Sequence, residues 1–164
     1  MVSDFALNAS YLCDVAVIGA GIGGYTTAIR SSQLGKKVVL IEKGDIGGTC
    51  LNRGCIPTAA LLKTAQLIHD IRRCREFGLN VKDFSIDLQE IMKRKNAIVS
   101  RHVEGTKFLL KKNKIQLIDG EARLASKNNI RIRKIDGAEV TLRSDAIVIA
   151  AGSEENRQGI DGAM

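Results

Sequence analysis

The feature that most constrains this chain is a run of glycines set between two short apolar segments. Asp14-Val-Ala-Val-Ile18 reads as a buried strand, and it opens directly onto Gly19-Ala-Gly21-Ile-Gly23-Gly24. Gly23 to Leu34 reads as a helix ended by Gly35, and Lys37-Val-Val-Leu-Ile41 as a second buried strand. A strand, a tight turn, a helix and a strand make a β-α-β unit, because parallel strands need a long crossover. The glycines at 19, 21 and 24 give the pattern G-x-G-x-x-G, with Gly23 as a further small residue in the turn. Gly19 permits the turn, Gly21 admits a pyrophosphate close to the backbone, and Gly24 allows the helix to pack on the strand. Free N–H groups at the helix start would face the phosphates. Glu42 closes the second strand, 18 residues after Gly24, where a carboxylate accepts hydrogen bonds from ribose hydroxyls. An acid there disfavours a 2′-phosphate, so FAD or NAD is expected rather than NADP.

The segment after Glu42 carries the second motif. It runs Lys43-Gly-Asp-Ile-Gly47-Gly48-Thr49-Cys50-Leu-Asn-Arg53-Gly54-Cys55-Ile-Pro57-Thr58. Two cysteines five positions apart rise about 7.5 Å in a regular helix, and bridged Cα atoms usually sit within about 6.8 Å. A Cys50–Cys55 pair therefore requires a departure from ideal helix, for which Gly47, Gly48 and Gly54 supply freedom. Pro57 suits the first turn of a helix, which puts Cys55 near a helix N-terminus, a setting that favours a thiolate. A metal site would need two more soft ligands, and Cys13, Cys74, His69 and His102 lie at no recognisable metal spacing. Two buried unpaired thiols are the remaining alternative. Cys13 and Cys74 are read in that way, as structural thiols, and His69 and His102 as ordinary helix residues.

Beyond Pro57 the apolar period is helical, through Leu61, Leu62, Ala65, Ile68 and Ile71, and again from Leu88 to Leu110 with Lys95 interrupting the stripe. The period then shortens. Ile115–Ile118, Glu121–Leu124, Ile130–Arg133 and Glu139–Leu142 are short runs separated by turn signals at Asn128-Asn129 and Asp136-Gly137. The last three predict an antiparallel meander, and Ala146–Ile149 a final buried strand leading into Ala150-Ala-Gly152. The predicted fold class is α/β, a Rossmann-like parallel sheet with a β-α-β opening plus a three-stranded antiparallel β-meander. Residues 1–11 are read as an N-terminal extension and 12–164 as one domain.

The 164 residues carry a net charge of +7, concentrated between positions 60 and 134 in clusters such as Arg72-Arg73-Cys74-Arg75 and Lys111-Lys112-Asn113-Lys114. Nucleic-acid binding would want aromatic residues interleaved with that charge, and only Phe77, Phe84 and Phe108 lie there, so the clusters are read as solvated helix faces. No stretch approaches the ~20 apolar residues that span a bilayer, and the start lacks a basic region followed by an apolar core. The expectation is a cytoplasmic protein without membrane or nucleic-acid partners, in a compartment where a persistent disulfide is usually catalytic.

Through these motifs the chain resembles the N-terminal FAD-binding segment of the flavoprotein disulfide reductases. GGTCLNRGCIPT at 47–58 is the specific signature, and GAGIGGYTTAIRSSQLGKKVVLIEK is similar to the family's segment without gaps. IVIAAGS at 147–153 resembles a second FAD contact, and GIDG at 159–162 the stretch after it. Leu51, Asn52, Arg53 and Ile56 favour the lipoamide dehydrogenase branch over the glutathione and mercuric reductase branches. The resemblance implies that Cys50 is the interchange thiol toward lipoamide and Cys55 the thiol beside the flavin. Electrons would pass from dihydrolipoamide to a Cys50–Cys55 disulfide, to FAD, and on to NAD⁺. The implied FAD-contacting positions are Gly19, Gly21, Gly23, Gly24, Glu42, Lys43, Gly47, Gly48, Thr49, Cys50, Gly54, Cys55, Gly120, Ala122, Ala151, Gly152 and Ser153. The implied partners are a lipoyl carrier domain, a 2-oxo acid dehydrogenase or glycine-cleavage complex, and a second copy in a homodimer.

Three departures accompany the likeness. Ala59 stands where the family has a lysine, and Ala151 where it has a threonine. The chain also stops before the family's NAD-binding and dimer-interface domains, so NAD would bind through a domain outside this sequence. The isolated chain is accordingly expected to be inactive in full turnover. Two other readings stand beside this one: a stand-alone FAD-binding or redox-relay module without NAD chemistry, and a glutathione- or mercuric-reductase-like relative.

Overall fold

The computed structural model describes residues 10–154. Strand β1 (Ser10–Ile18) leads into α1 (Ile22–Gln33) and β2 (Val38–Glu42). A short helix α2 (Gly48–Asn52), a long helix α3 (Cys55–Arg72) and a 3₁₀ turn (Cys74–Phe77) follow. Helix α4 (Leu88–Lys112) then returns the chain to the sheet strands β3 (Gln116–Ser126), β4 (Asn129–Lys134) and β5 (Glu139–Ile149). The protein is α/β, as its periodicities predict. β1 pairs in parallel with β2 on one side and β5 on the other, and β2 pairs in parallel with the first part of β3. β3, β4 and β5 then pair antiparallel, so the five strands close on themselves as a barrel.

The sequence did not predict this closure, in which the parallel and antiparallel pairings share strands. The runs 115–118 and 121–124 belong to one strand, and so do 139–142 and 146–149. Gly120 explains the first continuity. A Cβ there would lie 2.6 Å from the Arg133 carbonyl oxygen, so only glycine lets β3 pass from β2 onto β4 without a break. Ser144 explains the second. In sequence it reads as a polar interruption, but it is fully buried, and its hydroxyl donates to the Ala146 carbonyl (2.7 Å) and lies 3.3 Å from that of Asp14. A satisfied buried hydroxyl costs little, and the strand continues. β1 also begins at Ser10, four residues before its apolar run, because Ser10 and Tyr11 pair with Thr141 and Leu142. Two residues assigned to the extension are therefore sheet.

Two apolar layers hold the strands. Inside the barrel, Cys13, Ala16, Val39, Ile41, Ile118, Ile130, Ile132, Val140 and Leu142 pack together. The fully buried Ile130, Ile132 and Leu142 each contribute about 1.5–3 kcal/mol relative to an exposed side chain. On the outer face of the parallel strands, Val17, Val38 and Leu40 pack against Ala28 of α1, Leu110 of α4, and Ile46 and Ile115. Helix α4 starts where the Asp87 side chain accepts the Glu90 N–H at 3.1 Å. Cys13 and Cys74 are both buried, as expected of structural thiols. Cys13 lies 3.4 Å from the Ser144 hydroxyl, and burial pushes its thiol pKa up. Arg72, Arg73, Arg75, Lys111, Lys112 and Lys114 are exposed, and Arg73 pairs with Glu76 at 2.7 Å. Among the described residues no helix is long and apolar enough to cross a membrane.

Two glycine-to-alanine changes should have opposite signs. Gly105, within α4, has open space around an added Cβ, so Gly105→Ala is expected to stabilise by about 1 kcal/mol. Gly120→Ala, driven into the Arg133 carbonyl, is expected to destabilise by about 1–3 kcal/mol. Urea unfolding midpoints read both, and equal effects would contradict the close β3–β4 approach.

Candidate cofactor and dithiol site

The parallel strands run in the order β3-β2-β1-β5, so the chain leaves β1 toward β2 on one side and returns as β5 on the other. In such sheets the crevice beyond the carboxyl ends, where the order reverses, is where ligands bind. The glycine turn occupies that position. The Gly19 N–H donates to the Ile41 carbonyl (2.8 Å), and the Ala150 N–H to the Ile18 carbonyl (2.8 Å), which ties the ends of β1, β2 and β5 together. Gly19 has φ +98°, and a Cβ on it would overlap the Ala150 carbonyl oxygen; one on Gly24 would overlap the Gly19 carbonyl oxygen. Neither position admits a larger residue, in keeping with the turn and packing roles expected of them.

Gly21 is different. It is the N-cap of α1, in ordinary extended backbone (φ −68°), and a Cβ on it would meet only the Gly48 Cα at 4.0 Å. A Cβ on Gly23 would meet nothing within 4 Å. The protein's own packing thus gives no reason for glycine at either place, and both leave open space beside the turn. Helix α1 has no side-chain cap and no acidic residue in its first turn. Its leading N–H groups and the positive end of its dipole are available to a phosphate. A dinucleotide pyrophosphate fits this cradle.

Glu42 stands at the end of β2, beside the turn. One carboxylate oxygen accepts the Ala20 N–H at 2.6 Å and the other accepts the Gly44 N–H at 2.8 Å. The acid therefore braces the glycine turn as well as having lone pairs left for a ribose, a bracing role that spacing alone does not reveal. Asp119 pairs with Glu42 across β2 and β3, so Gly120 follows immediately beside this end. Ala122 lies further along β3, opposite Ile132, and packs against the barrel core instead. Ala151, Gly152 and Ser153 are exposed and continue from Ala150 over the turn, with Gly152 at φ +78°.

The dithiol segment docks on the same turn. The Gly47 N–H donates to the Ala20 carbonyl at 2.8 Å, and a Cβ on Gly48 would lie 2.8 Å from the Gly21 Cα. Gly47 and Gly48 both have positive φ, +95° and +56°, and from them α2 carries Thr49 and Cys50 away from the turn. The helix stops at Asn52, and a new helix, α3, starts at Cys55 with Pro57 in its first turn. This break is the departure from regular helix that the cysteine spacing requires. Gly54 sits over Cys50, where a Cβ would meet the Thr49 carbonyl oxygen at 3.0 Å and the Cys50 Cα at 3.4 Å. Both thiols are free; Cys50 is half-buried and Cys55 exposed. The Cys55 thiol beside it, aided by burial, raises the Cys50 pKa above the ordinary thiol value. Lys43, Thr49, Arg53 and Ala59 are exposed around this segment. The GIDG stretch at 159–162 lies outside the described residues.

His69 and His102 are exposed on α3 and α4, and His69 lies 3.7 Å from Asp70. Among the described residues no cluster of three His, Cys, Asp or Glu side chains could hold a metal ion. The residue that sequence reasoning passed over is Asn52, used only as a mark of likeness. Its side-chain amide donates to the Ile46 and Gly48 carbonyls at 3.0 and 2.9 Å. An Asn four residues after a glycine pair is the one available hint of that clamp.

A glycine turn at a strand-order reversal, with two cysteines on a segment docked against it, is the arrangement that the sequence resemblance implies. The family model described as pyridine nucleotide-disulphide oxidoreductase matches residues 13–164, and the chain belongs to that family. It is 40% identical over 141 residues to a dihydrolipoyl dehydrogenase of Chlorobaculum parvum, covering 86% of this chain and 30% of that protein. It is 39% identical over 153 residues to a dihydrolipoyl dehydrogenase of Geobacillus stearothermophilus, covering 93% and 32%. A leghemoglobin reductase of Vigna unguiculata is 40% identical over 143 residues, covering 86% and 27%. The chain thus spans about a third or less of the length of these relatives.

Glu42→Gln tests the bracing. One of the two N–H donors would face an amide NH₂, losing a charge-assisted bond of about 1.5–3 kcal/mol. Urea unfolding of the ligand-free variant should show a loss of that order. An unchanged midpoint would mean that the carboxylate does not hold the turn.

Proposed function

We propose that this chain is the flavin-binding and dithiol-bearing part of an FAD-dependent dithiol/disulfide oxidoreductase of the dihydrolipoyl dehydrogenase type. The observation that carries the reading is the contact between Gly48 and Gly21, which fastens the Cys50 helix to the dinucleotide turn. Nothing in a bare nucleotide-binding domain asks for a pair of thiols at that spot. The parallel strands with α1 are read as a Rossmann-type half and the antiparallel part of the barrel as the meander. The uncapped start of α1 holds the pyrophosphate, with Gly21 and Gly23 leaving it room, and Glu42 receives the ribose hydroxyls. Lys43, Thr49, Gly120 and Ala151 to Ser153 are assigned to the remainder of the cofactor groove. Bound FAD would supply an acceptor for an electron pair, which leaves to NAD⁺ held by a domain outside this sequence.

The chain's own chemistry is thiol–disulfide exchange. A thiolate of dihydrolipoamide attacks the Cys50 sulfur of the Cys50–Cys55 disulfide, and Cys55 leaves as a thiolate. The second lipoyl thiol then displaces Cys50, so lipoamide ends as the cyclic disulfide and both cysteines end reduced. Electrons balance, one pair passing from substrate to protein. The break between α2 and α3 leaves Cys55 exposed and Cys50 half-buried beside it. The name dihydrolipoyl dehydrogenase, borne by several relatives, supports a lipoyl substrate. With it we propose a carrier domain of a 2-oxo acid dehydrogenase or glycine-cleavage complex as donor, and a cytoplasmic homodimer as the whole protein.

Gly21→Ala separates ligand from fold. Its Cβ meets no protein atom closer than 4.0 Å, and alanine at an N-cap is only modestly worse than glycine, so unfolding free energy should change by less than about 1 kcal/mol. FAD titration followed by flavin fluorescence quenching should show saturable binding to the parent chain and at least tenfold weaker binding to the variant. Equal affinity would remove Gly21 from the cofactor site, and no binding to the parent would overturn the flavin reading.

A further inference from the structure

Helix α2 has five residues and no side-chain cap at its start. A helix that short does not hold itself together in water. It hangs on Gly47 and Gly48, two successive residues of positive φ that form a pliable link. Its place is set by the Gly47 N–H on the Ala20 carbonyl, the Gly48 N–H on the Asp45 carbonyl, the close approach of Gly48 to Gly21, the buried Leu51 side chain folded against Gly47, and the Asn52 amide. The Asn52 Nδ2 donates to the Ile46 and Gly48 carbonyls, one on each side of Gly47. Both partners are acceptors, which fixes the amide with its nitrogen toward them. Among the described residues no other side chain hydrogen-bonds to Ile46, Gly47 or Gly48.

We infer that Asn52 is a positioning residue: by locking the Gly47–Gly48 link, its amide sets where the Cys50 thiol stands relative to Cys55 and the glycine turn. The inference rests on the reading of Cys50 and Cys55 as a redox pair. Without the clamp, α2 swings on its glycines, and Cys50 spends less time beside Cys55. The effective concentration of one thiol at the other falls, and with it the tendency to form the disulfide. The Cys50 pKa follows, because the neighbouring Cys55 thiol is the main influence that raises it.

The test is equilibration of the 164-residue chain with glutathione redox buffers. In this exchange the two cysteines each lose one hydrogen, oxidised glutathione takes both, and two reduced glutathione molecules appear. Asn52→Leu keeps the size of the side chain and removes both donors. Its equilibrium constant for disulfide formation should fall about tenfold, equivalent to about 30 mV toward a more oxidising pair. The ultraviolet thiolate titration of Cys50 should move down toward the ordinary thiol value. Asn52→Ser, whose single hydroxyl reaches at most one carbonyl, should shift both readouts the same way by about threefold or more, and it serves if the leucine variant does not fold. A purely structural role would lower the melting temperature and leave exchange and titration unchanged, and that result overturns the inference. If the parent chain itself forms no Cys50–Cys55 disulfide in oxidised glutathione, the redox-pair reading fails, and the inference with it.

Discussion

The structure depends on how closely three backbone segments approach one another beyond the ends of the parallel strands. Gly19 lies under the Ala150 carbonyl, Gly24 lies on the Gly19 carbonyl, and Gly48 lies on Gly21. At each meeting a side chain would fill space that backbone already takes. Helix α1 can therefore start immediately after β1, β5 can run in beside it, and the cysteine segment can be laid over the same turn. The carboxylate of Glu42 adds one hydrogen bond across this junction, from the Ala20 N–H, and the Gly47 N–H another. The glycine turn and the cysteine segment share a single crowded joint, and moving one displaces the other.

The barrel makes that joint rigid. β3 and β5 each take part in both the parallel and the antiparallel pairing, so the two halves of the strand system share one core with Ile130, Ile132 and Leu142 at its centre. The opposite face is covered by α1 and α4 through Ala28 and Leu110. The dithiol segment draws on neither layer to the same extent. Ile46 alone joins the outer layer, Leu51 and Pro57 are its other buried anchors, and backbone bonds and the Asn52 amide add to its order. Reactive segments belong to the less stable parts of a fold, and here the small number of anchors is visible residue by residue.

Much of this was legible in sequence, because the information is local. The β-α-β opening follows from two apolar runs around a glycine turn, and the glycines at 19 and 24 occur where the backbone permits nothing larger. The cysteine spacing required a helix break, and the chain breaks between Asn52 and Cys55. What escaped depends on partners distant in the chain. Gly120 reads as a gap until Arg133 is placed beside it, and Ser144 reads as a loop residue until Asp14 lies within reach of its hydroxyl. That is why seven apolar runs were expected and five strands are found. The bracing by Glu42 and the clamp by Asn52 escaped for a related reason. Each is a side chain bonding to carbonyl or amide groups of a turn, and composition and periodicity carry no trace of the turn's geometry.

On the proposed function, cofactor cradle and dithiol form a single redox unit. An anaerobic reductive titration of the FAD-loaded chain, followed at the flavin absorbance band, tests it most directly. The dithiol should take up one electron pair in addition to the pair taken by the flavin, with the first pair lost in Cys50→Ser and the flavin still bound. Uptake of a single pair by the parent chain, unchanged by that substitution, would show that the thiols take no part and would contradict the account.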